Sequence, residues 1–240
     1  MKAPPKILLI IPAYNEAGNI AQVLGNLQGS GIDGDILVIN DGSGDDTSSV
    51  ARSFGRVRVV DLPVNLGIGG AVQTGFIYAQ RNGYDIAVQF DGDGQHLAEE
   101  VPALIAPLLA GQAEVVIGSR FLKRPYQYRT TFLRRLGMMM IQLLNKMLIR
   151  QRITDNTSGF RAFGRRAIEF LAHSYPDDFP EPEAVVVLGR NGFKMTEVPV
   201  KMEQRQEGTS SLSGIIGPYY MIKVLLALAM NAIRPKIRRQ

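Results

Sequence analysis

Ile86-Ala87-Val88-Gln89-Phe90-Asp91-Gly92-Asp93-Gly94-Gln95 is an apolar run that ends abruptly in two carboxylates two residues apart. A short apolar run closed by turn residues reads as a buried strand. The carboxylates then stand where that strand leaves its sheet. With a glycine between them, Asp91 and Asp93 can both turn oxygens toward one hard cation, and Gln95 at the same spacing adds a neutral oxygen. Asp-Gly is also ordinary turn chemistry, so the stretch by itself leaves a turn and a metal site both open.

Working outward, four more apolar runs bounded by turn residues resemble this one: Ile7–Ile11, Ile36–Ile39, Val57–Val60 and Val115–Ile117. They read as buried parallel strands. Helix-like stretches lie between them at 17–28, 47–54, 70–81 and 99–109, an alternation that predicts a doubly wound α/β sheet. Such sheets bind ligands beyond the carboxyl ends of their strands. The polar segments expected there are Pro12-Ala-Tyr-Asn-Glu16, Asp41-Gly-Ser-Gly-Asp-Asp-Thr47, Asn65-Leu-Gly-Ile-Gly-Gly70 and Asp91-Gly-Asp-Gly-Gln95.

Composition narrows the chemistry. The 240 residues, 45% of them hydrophobic, suffice for one sizeable core and a smaller appendage. Cysteine is absent, which removes disulfides, thiolate nucleophiles and cysteine-bound zinc and fits a reducing compartment. Two histidines, His96 and His173, are too few for a multi-histidine metal site, and His96 reads equally well as a plain loop residue. The N-terminal apolar run is too short for a signal peptide, so a cytoplasmic location is expected. No G-x-x-x-x-G-K-[ST] occurs. The stretch from Gly67 opens like a dinucleotide fingerprint but has Val72 at its last glycine, and His96 and Pro102 break the calcium-loop pattern.

The net charge of +5 hides a division between halves. Residues 1–114 carry 6 basic and 13 acidic side chains, residues 115–240 carry 21 and 9. Between Val115 and Thr154 there is no acid, against nine Lys or Arg. The second half therefore faces something anionic, with nucleic acid, anionic lipid and diphosphate as candidates.

Ile11-Pro-Ala-Tyr-Asn-Glu16, Asn40-Asp-Gly-Ser-Gly-Asp-Asp-Thr47, Asn65-Leu-Gly67 and Phe90-Asp-Gly-Asp-Gly-Gln95, in this order, resemble the family 2 glycosyltransferases of the GT-A fold. Gly118-Ser-Arg120, Thr157-Ser-Gly-Phe-Arg161 and Arg205-Gln-Glu-Gly-Thr-Ser210 extend the likeness over about residues 6–213, toward the dolichol-phosphate mannose synthase-like and bacterial polyprenyl-phosphate branch. The resemblance implies an α/β GT-A (Rossmann-like), mostly parallel sheet flanked by helices as the catalytic domain, 1–213. A C-terminal segment, 214–240, would add apolar, basic amphipathic helices at an interface. It further implies that Pro12, Tyr14, Glu16, Asp41, Gly67 and Asp91 bind a nucleotide-diphosphate sugar, with UDP, GDP and dTDP all open. Asp91, Asp93 and Gln95 would hold Mg²⁺ or Mn²⁺ against the diphosphate, neutralising the charge that develops as the sugar departs. Arg205, in a polar stretch able to close as a lid, would meet the diphosphate.

The acceptor divides the readings. A phosphate acceptor is already anionic near pH 7, its second pKa being about 6, and needs cations rather than a base. The resemblance makes Arg120, Arg134 and Arg161 the candidates, because that branch places arginines in or after the corresponding motifs, with Ser158 as a further acceptor contact. A sugar hydroxyl would need a carboxylate base, for which Glu181 and Glu183 stand in a proline-rich stretch expected to be a rigid, extended loop. The expected activity is inverting, metal-dependent transfer of a hexose or N-acetylhexosamine to polyprenyl phosphate, and the alternative is extension of a lipid-linked or cell-surface glycan. A sugar nucleotidyltransferase shares fold type and metal. A nucleic-acid binder ranks last because the basic run lacks a recognition module.

Membrane contact follows from a lipid acceptor. Leu133, Leu136, Met140, Leu143, Leu144 and Met147 recur at helical spacing, with Arg134, Arg135, Gln142, Asn145 and Lys146 largely elsewhere, so 132–148 reads as a membrane-surface helix or as ordinary core. Residues 219–233, bearing only Lys223 as a charge and followed by a basic tail, would reach about 22 Å as a helix, short of a roughly 30 Å hydrocarbon core. Peripheral attachment at the inner face of the cell membrane is expected, with a small membrane protein or a second copy as possible partners and no nucleic acid.

Overall fold

The computed structural model describes residues 3–122 and 132–203, the side chains of 132–138 and 144 excepted, together with residues 223, 226, 227 and 230. Arg205, the boundary at 213/214 and, apart from those four residues, the 219–233 segment lie outside the described residues.

The chain alternates strand and helix through β1 (Ile7–Ala13), α1 (Ala17–Gly29), β2 (Asp35–Asn40), α2 (Thr47–Arg52), β3 (Val57–Asp61), α3 (Gly67–Arg81) and β4 (Ile86–Gln89). It continues through α4 (Val101–Leu109), β5 (Val115–Ser119), α5 (Phe132–Ile149), β6 (Arg161–Gly164), α6 (Arg165–Ser174), α7 (Pro180–Arg190) and β7 (Met195–Pro199). Seven strands form one sheet in the order β3-β2-β1-β4-β6-β5-β7. β1 to β4 run parallel, β6 is antiparallel to both β4 and β5, and β7 is parallel to β5.

The continuous apolar runs are explained by burial on both faces, since successive strand residues point to opposite sides. Leu8, Ile10, Leu37, Ile39 and Ala87 enter a core with Val72 and Phe76 of α3, Leu171 of α6 and Leu188 of α7. Their neighbours Leu9, Ile11, Ile36, Val38 and Val88 enter a second core with Ile20 and Leu24 of α1 and Leu104 of α4. Helix and sheet approach closely at Gly75, where a Cβ would lie 2.3 Å from Ile10 Cγ2.

The mostly parallel α/β sheet expected from the sequence is present, with four local corrections. β3 has only half-buried and exposed residues because it is the sheet's edge, so it is not a buried strand. β5 has a parallel neighbour on one side only. Gly67–Gly70 is the first turn of α3 rather than a loop. The proline-rich stretch with Glu181 and Glu183 is also helical: Pro180 occupies the first helical position, where a missing N–H costs nothing, and starts α7.

Candidate active site

The polar segments after β1, β2 and β4 meet because those strands are adjacent and parallel. After β1 the chain turns at Asn15, which takes a left-handed φ of 54°, a conformation asparagine tolerates. Segment 41–47 zips onto this turn. Asn15 N donates to Ser43 Oγ at 3.0 Å, Glu16 N to Thr47 Oγ1 at 2.9 Å and Ala17 N to Asp45 Oδ2 at 3.1 Å. Asn15 Oδ1 accepts from Gly44 N at 2.9 Å. Asp41, 3% exposed, accepts from Leu66 N through Oδ1 at 2.7 Å and so draws the start of α3 to the same edge. Gly42 permits this approach: its φ is 68°, and a Cβ there would meet Asn65 N at 2.8 Å.

The result is a cleft of about 300 Å³ lined by Pro12, Ala13, Tyr14, Glu16, Asp41, Ile68, Ala71, Asp91, Gly92 and Asp93. Six residues expected at the site from sequence thus share one wall. Tyr14 is half exposed, so an aromatic face is available at the mouth. Glu16 is oriented by Asn19 Nδ2, which donates to Oε2 at 2.7 Å. Gly67 opens α3 with a φ of 78°. Gln95 does not line the cleft; its backbone N donates to Asp93 Oδ1 at 3.1 Å, and its carbonyl accepts from Glu203 N at 2.9 Å.

Asp91 and Asp93 are suited to a hard divalent ion by their oxygen donors. Among the described residues no three His, Asp or Glu side chains converge to hold a metal. Two carboxylates make an open donor set, the kind a cation fills with waters and substrate phosphates.

His96 supports Asp91 from below. Its Nδ1 accepts from Asp91 N at 3.0 Å, its Nε2 lies 3.6 Å from Asp91 Oδ2, and its ring stacks on Phe160 at 4.7 Å. Burial first, and then Arg120, pull its pKa down to about 4 against the opposing pull of Asp93, so the ring is neutral in neutral solution. His96 is therefore part of the architecture of the site, beyond the plain loop role left open by the sequence.

Two of the expected arginines are engaged within the fold. Arg161 is 1% exposed and spends its nitrogens on backbone carbonyls: Nε donates to Ser158 at 2.7 Å, Nη2 to Asn156 at 2.9 Å and Nη1 to Glu181 at 2.8 Å. It ties the 156–158 turn to α7 instead of presenting a charge to an acceptor. Arg120 grips Asp155, Nε to Oδ2 and Nη2 to Oδ1 both at 2.8 Å, and Nη2 also donates to Thr157 Oγ1 at 3.0 Å. Ser158 is 1% exposed, with Oγ accepting from Phe160 N at 3.3 Å. Arg134's side chain lies outside the described residues.

The two late carboxylates separate. Glu183 Oε1 accepts from Phe179 N at 3.1 Å, which caps the start of α7 and accounts for its burial. Glu181 keeps part of its surface in solvent yet lies near Asp91. Burial raises its pKa, Arg161 lowers it and Asp91 adds to the rise. Of the two, Glu181 is the one whose carboxyl feels the charge of Asp91.

Sequence reasoning passed over Gln89, Tyr175, Gly159 and Asp155. A signal existed for the first, a lone amide within an apolar strand. Gly159 stood in the quoted Thr157–Arg161 motif without a role of its own; a Cβ there would lie 2.4 Å from Asp91 Oδ2, so glycine leaves that carboxylate its place. Tyr175 and Asp155 carry no comparable signal, since their partners are remote in sequence.

Comparison with known proteins agrees with this geometry. The model of Glycosyl transferase family 2 matches residues 8–171. A UDP-N-acetylglucosamine–dolichyl-phosphate N-acetylglucosaminyltransferase of Methanococcus voltae is 30% identical, over 95% of this chain and 97% of that protein. Polyprenol monophosphomannose synthase of Mycolicibacterium smegmatis is 32% identical, over 87% of this chain and 82% of its own length. Among solved structures, glucosyl-3-phosphoglycerate synthase from Mycobacterium tuberculosis, in complex with Mn²⁺, uridine-diphosphate and phosphoglyceric acid, superposes with a TM-score of 0.71. It is 22% identical, and the match covers 96% of this chain and 80% of that one. This likeness establishes the GT-A fold. With its cleft at the carboxyl ends of β1, β2 and β4, the chain belongs to Glycosyl transferase family 2 and is a glycosyltransferase.

Proposed function

We propose that the enzyme moves a sugar from a nucleotide-diphosphate donor to polyprenyl phosphate, using Mg²⁺ or Mn²⁺, at the cytoplasmic face of the membrane. The observation that carries this reading is the convergence of Tyr14, Glu16 and Asp41 with Asp91 and Asp93 in one cleft. Tyr14 offers a face for the base, Asp41 a carboxylate for its N–H edge, and Asp91 and Asp93 stand where a diphosphate would follow. A bound divalent ion would supply charge neutralisation as the diphosphate leaves. The chain's own part is to hold the donor at both ends and keep its anomeric carbon in line with the acceptor. Phosphate attacks without a base, being anionic near neutral pH. The acceptor class rests on relatives whose names specify dolichyl phosphate, polyprenol and undecaprenyl phosphate.

A sugar hydroxyl acceptor is the second reading, favoured by Glu181, a partly exposed carboxyl within electrostatic reach of Asp91. Labelled UDP-, GDP- and dTDP-sugars with Mn²⁺ and either polyprenyl phosphate or a lipid-linked saccharide separate the two. Organic-phase product from polyprenyl phosphate is expected, and product from the saccharide alone would replace the first reading with the second. Asp93→Asn should reduce transfer at least about a thousand-fold while circular dichroism stays native. Retained activity would remove Asp93 from the mechanism.

Attachment to the membrane is supported by α5. Ile141 and Asn145 of this helix face inward, at 1% and 0% exposure, whereas Met139, Met140, Leu143 and Met147 are exposed. Gln142 also turns inward, donating to Thr154 O at 2.8 Å. The two amides set apart from the apolar stripe are thus turned in, while Met140, Leu143 and Met147 of the stripe are turned out. Such a surface, in a segment without acids, suits anionic lipid. Among the described residues no helix is long and apolar enough to cross a membrane.

A further inference from the structure

Gln89 is completely buried in β4 and is the one amide in that strand. Buried amides persist where both ends find partners. Its Nε2 donates to Asp91 Oδ1 at 3.3 Å, and its Oε1 accepts from Tyr175 Oη at 3.3 Å. The direction of this relay is dictated at both ends. An ionised Asp91 can only accept, so the NH₂ must face it, and the amide oxygen must then face a donor. Tyr175 is that donor, 5% exposed and held by Phe76, whose ring centroid lies 5.3 Å away. Two further neighbours limit the carboxylate: His96, which accepts from the Asp91 backbone N–H and brings Nε2 to 3.6 Å from Oδ2, and Gly159, whose missing Cβ leaves room for both carboxylate oxygens.

We propose that Tyr175 and Gln89 are positioning residues that aim the Asp91 carboxylate at the divalent cation, so that they set cation affinity without setting nucleotide affinity. This rests on the reading of Asp91 as a cation ligand. Outer partners of a ligating carboxylate fix its orientation, and losing one typically weakens metal binding by about 10- to 100-fold. A relay also predicts non-additivity: once Tyr175 is gone the amide can rotate, so removing Gln89 as well adds little.

The test is titration of the whole enzyme with Mn²⁺ in saturating UDP, reading free Mn²⁺ by electron paramagnetic resonance. Wild type, Tyr175→Phe, Gln89→Leu, the double variant and Asp91→Asn are compared, with UDP affinity in EDTA measured by calorimetry. Tyr175→Phe should weaken Mn²⁺ binding about ten-fold, Gln89→Leu by a similar factor and the double variant no further, with UDP affinity in EDTA unchanged. Unchanged Mn²⁺ affinity in Tyr175→Phe alongside a loss in Asp91→Asn would overturn the relay but keep the metal site. No loss in Asp91→Asn would overturn the metal site itself. Additive losses, or a parallel loss of UDP affinity in EDTA, would reduce both residues to general packing. Should Gln89→Leu not fold, Tyr175→Phe, which removes a single oxygen, carries the test.

Discussion

At the scale of single residues, burial decides what a charge can do. Arg161 has the composition of a phosphate ligand and the surroundings of a structural tie, with three carbonyls claiming its guanidinium. Replacing it removes charged donors from buried acceptors, each worth roughly 1.5–3 kcal/mol. Arg161→Met should therefore lower unfolding free energy by about 3 kcal/mol or more in urea denaturation. A variant of normal stability that fails to bind acceptor would restore Arg161 as a contact residue. The sequence motif Thr157–Arg161 was legible as important, yet its arginine and its glycine act in opposite ways: one holds the turn, the other makes room for Asp91.

At the scale of elements, the ends of β2, α2 and β3 are tied by one carboxylate. Asp61 accepts from Asn40 Nδ2 at 2.8 Å and Ser48 Oγ at 2.6 Å, and it pairs with Arg52. These partners, Ser48 foremost, hold its pKa down to about 2 from 3.8. A depressed folded-state pKa stabilises above the unfolded value, and the contribution fades as pH falls through the folded one. The melting-temperature advantage of wild type over Asp61→Asn should thus be constant above about pH 4 and shrink between about pH 4 and 2. With the side chain 42% exposed, water screens the pair and the advantage should be small. An advantage unchanged at pH 2 would show that the carboxylate's charge is not involved. Elements were the most legible level: β1 to β5 and α1 to α4 all follow from runs and periodicities within a few residues of their ends. β6, α6, α7 and β7 were not drawn from the sequence, because the direction of β6 depends on what packs around its crossover and not on its four residues.

At the scale of the whole molecule, the sheet sets the cleft with Asp91 and Asp93 at one edge, and α5 turns apolar side chains outward. If those side chains rest on lipid, the enzyme should co-sediment with vesicles containing anionic phospholipid more than with neutral ones. Leu143→Asp with Met147→Asp should reduce the bound fraction several-fold while leaving thermal stability unchanged, both residues being exposed. Undiminished sedimentation of the double variant would move the contact elsewhere.

Local order in the sequence was enough to determine the strand–helix alternation, the turn chemistry at each strand end and the gathering of Tyr14, Glu16, Asp41, Asp91 and Asp93 on one edge. Periodicity, glycine placement and parallel strands are properties of neighbouring residues and short crossovers. Only tertiary structure decided that Arg161 is buried against backbone carbonyls and Arg120 pairs with Asp155, which face of α5 is inner, and that Tyr175 meets Gln89 across 86 positions. Those outcomes depend on burial and on contacts between distant segments, and burial is what converts the same side chain from a ligand into a brace.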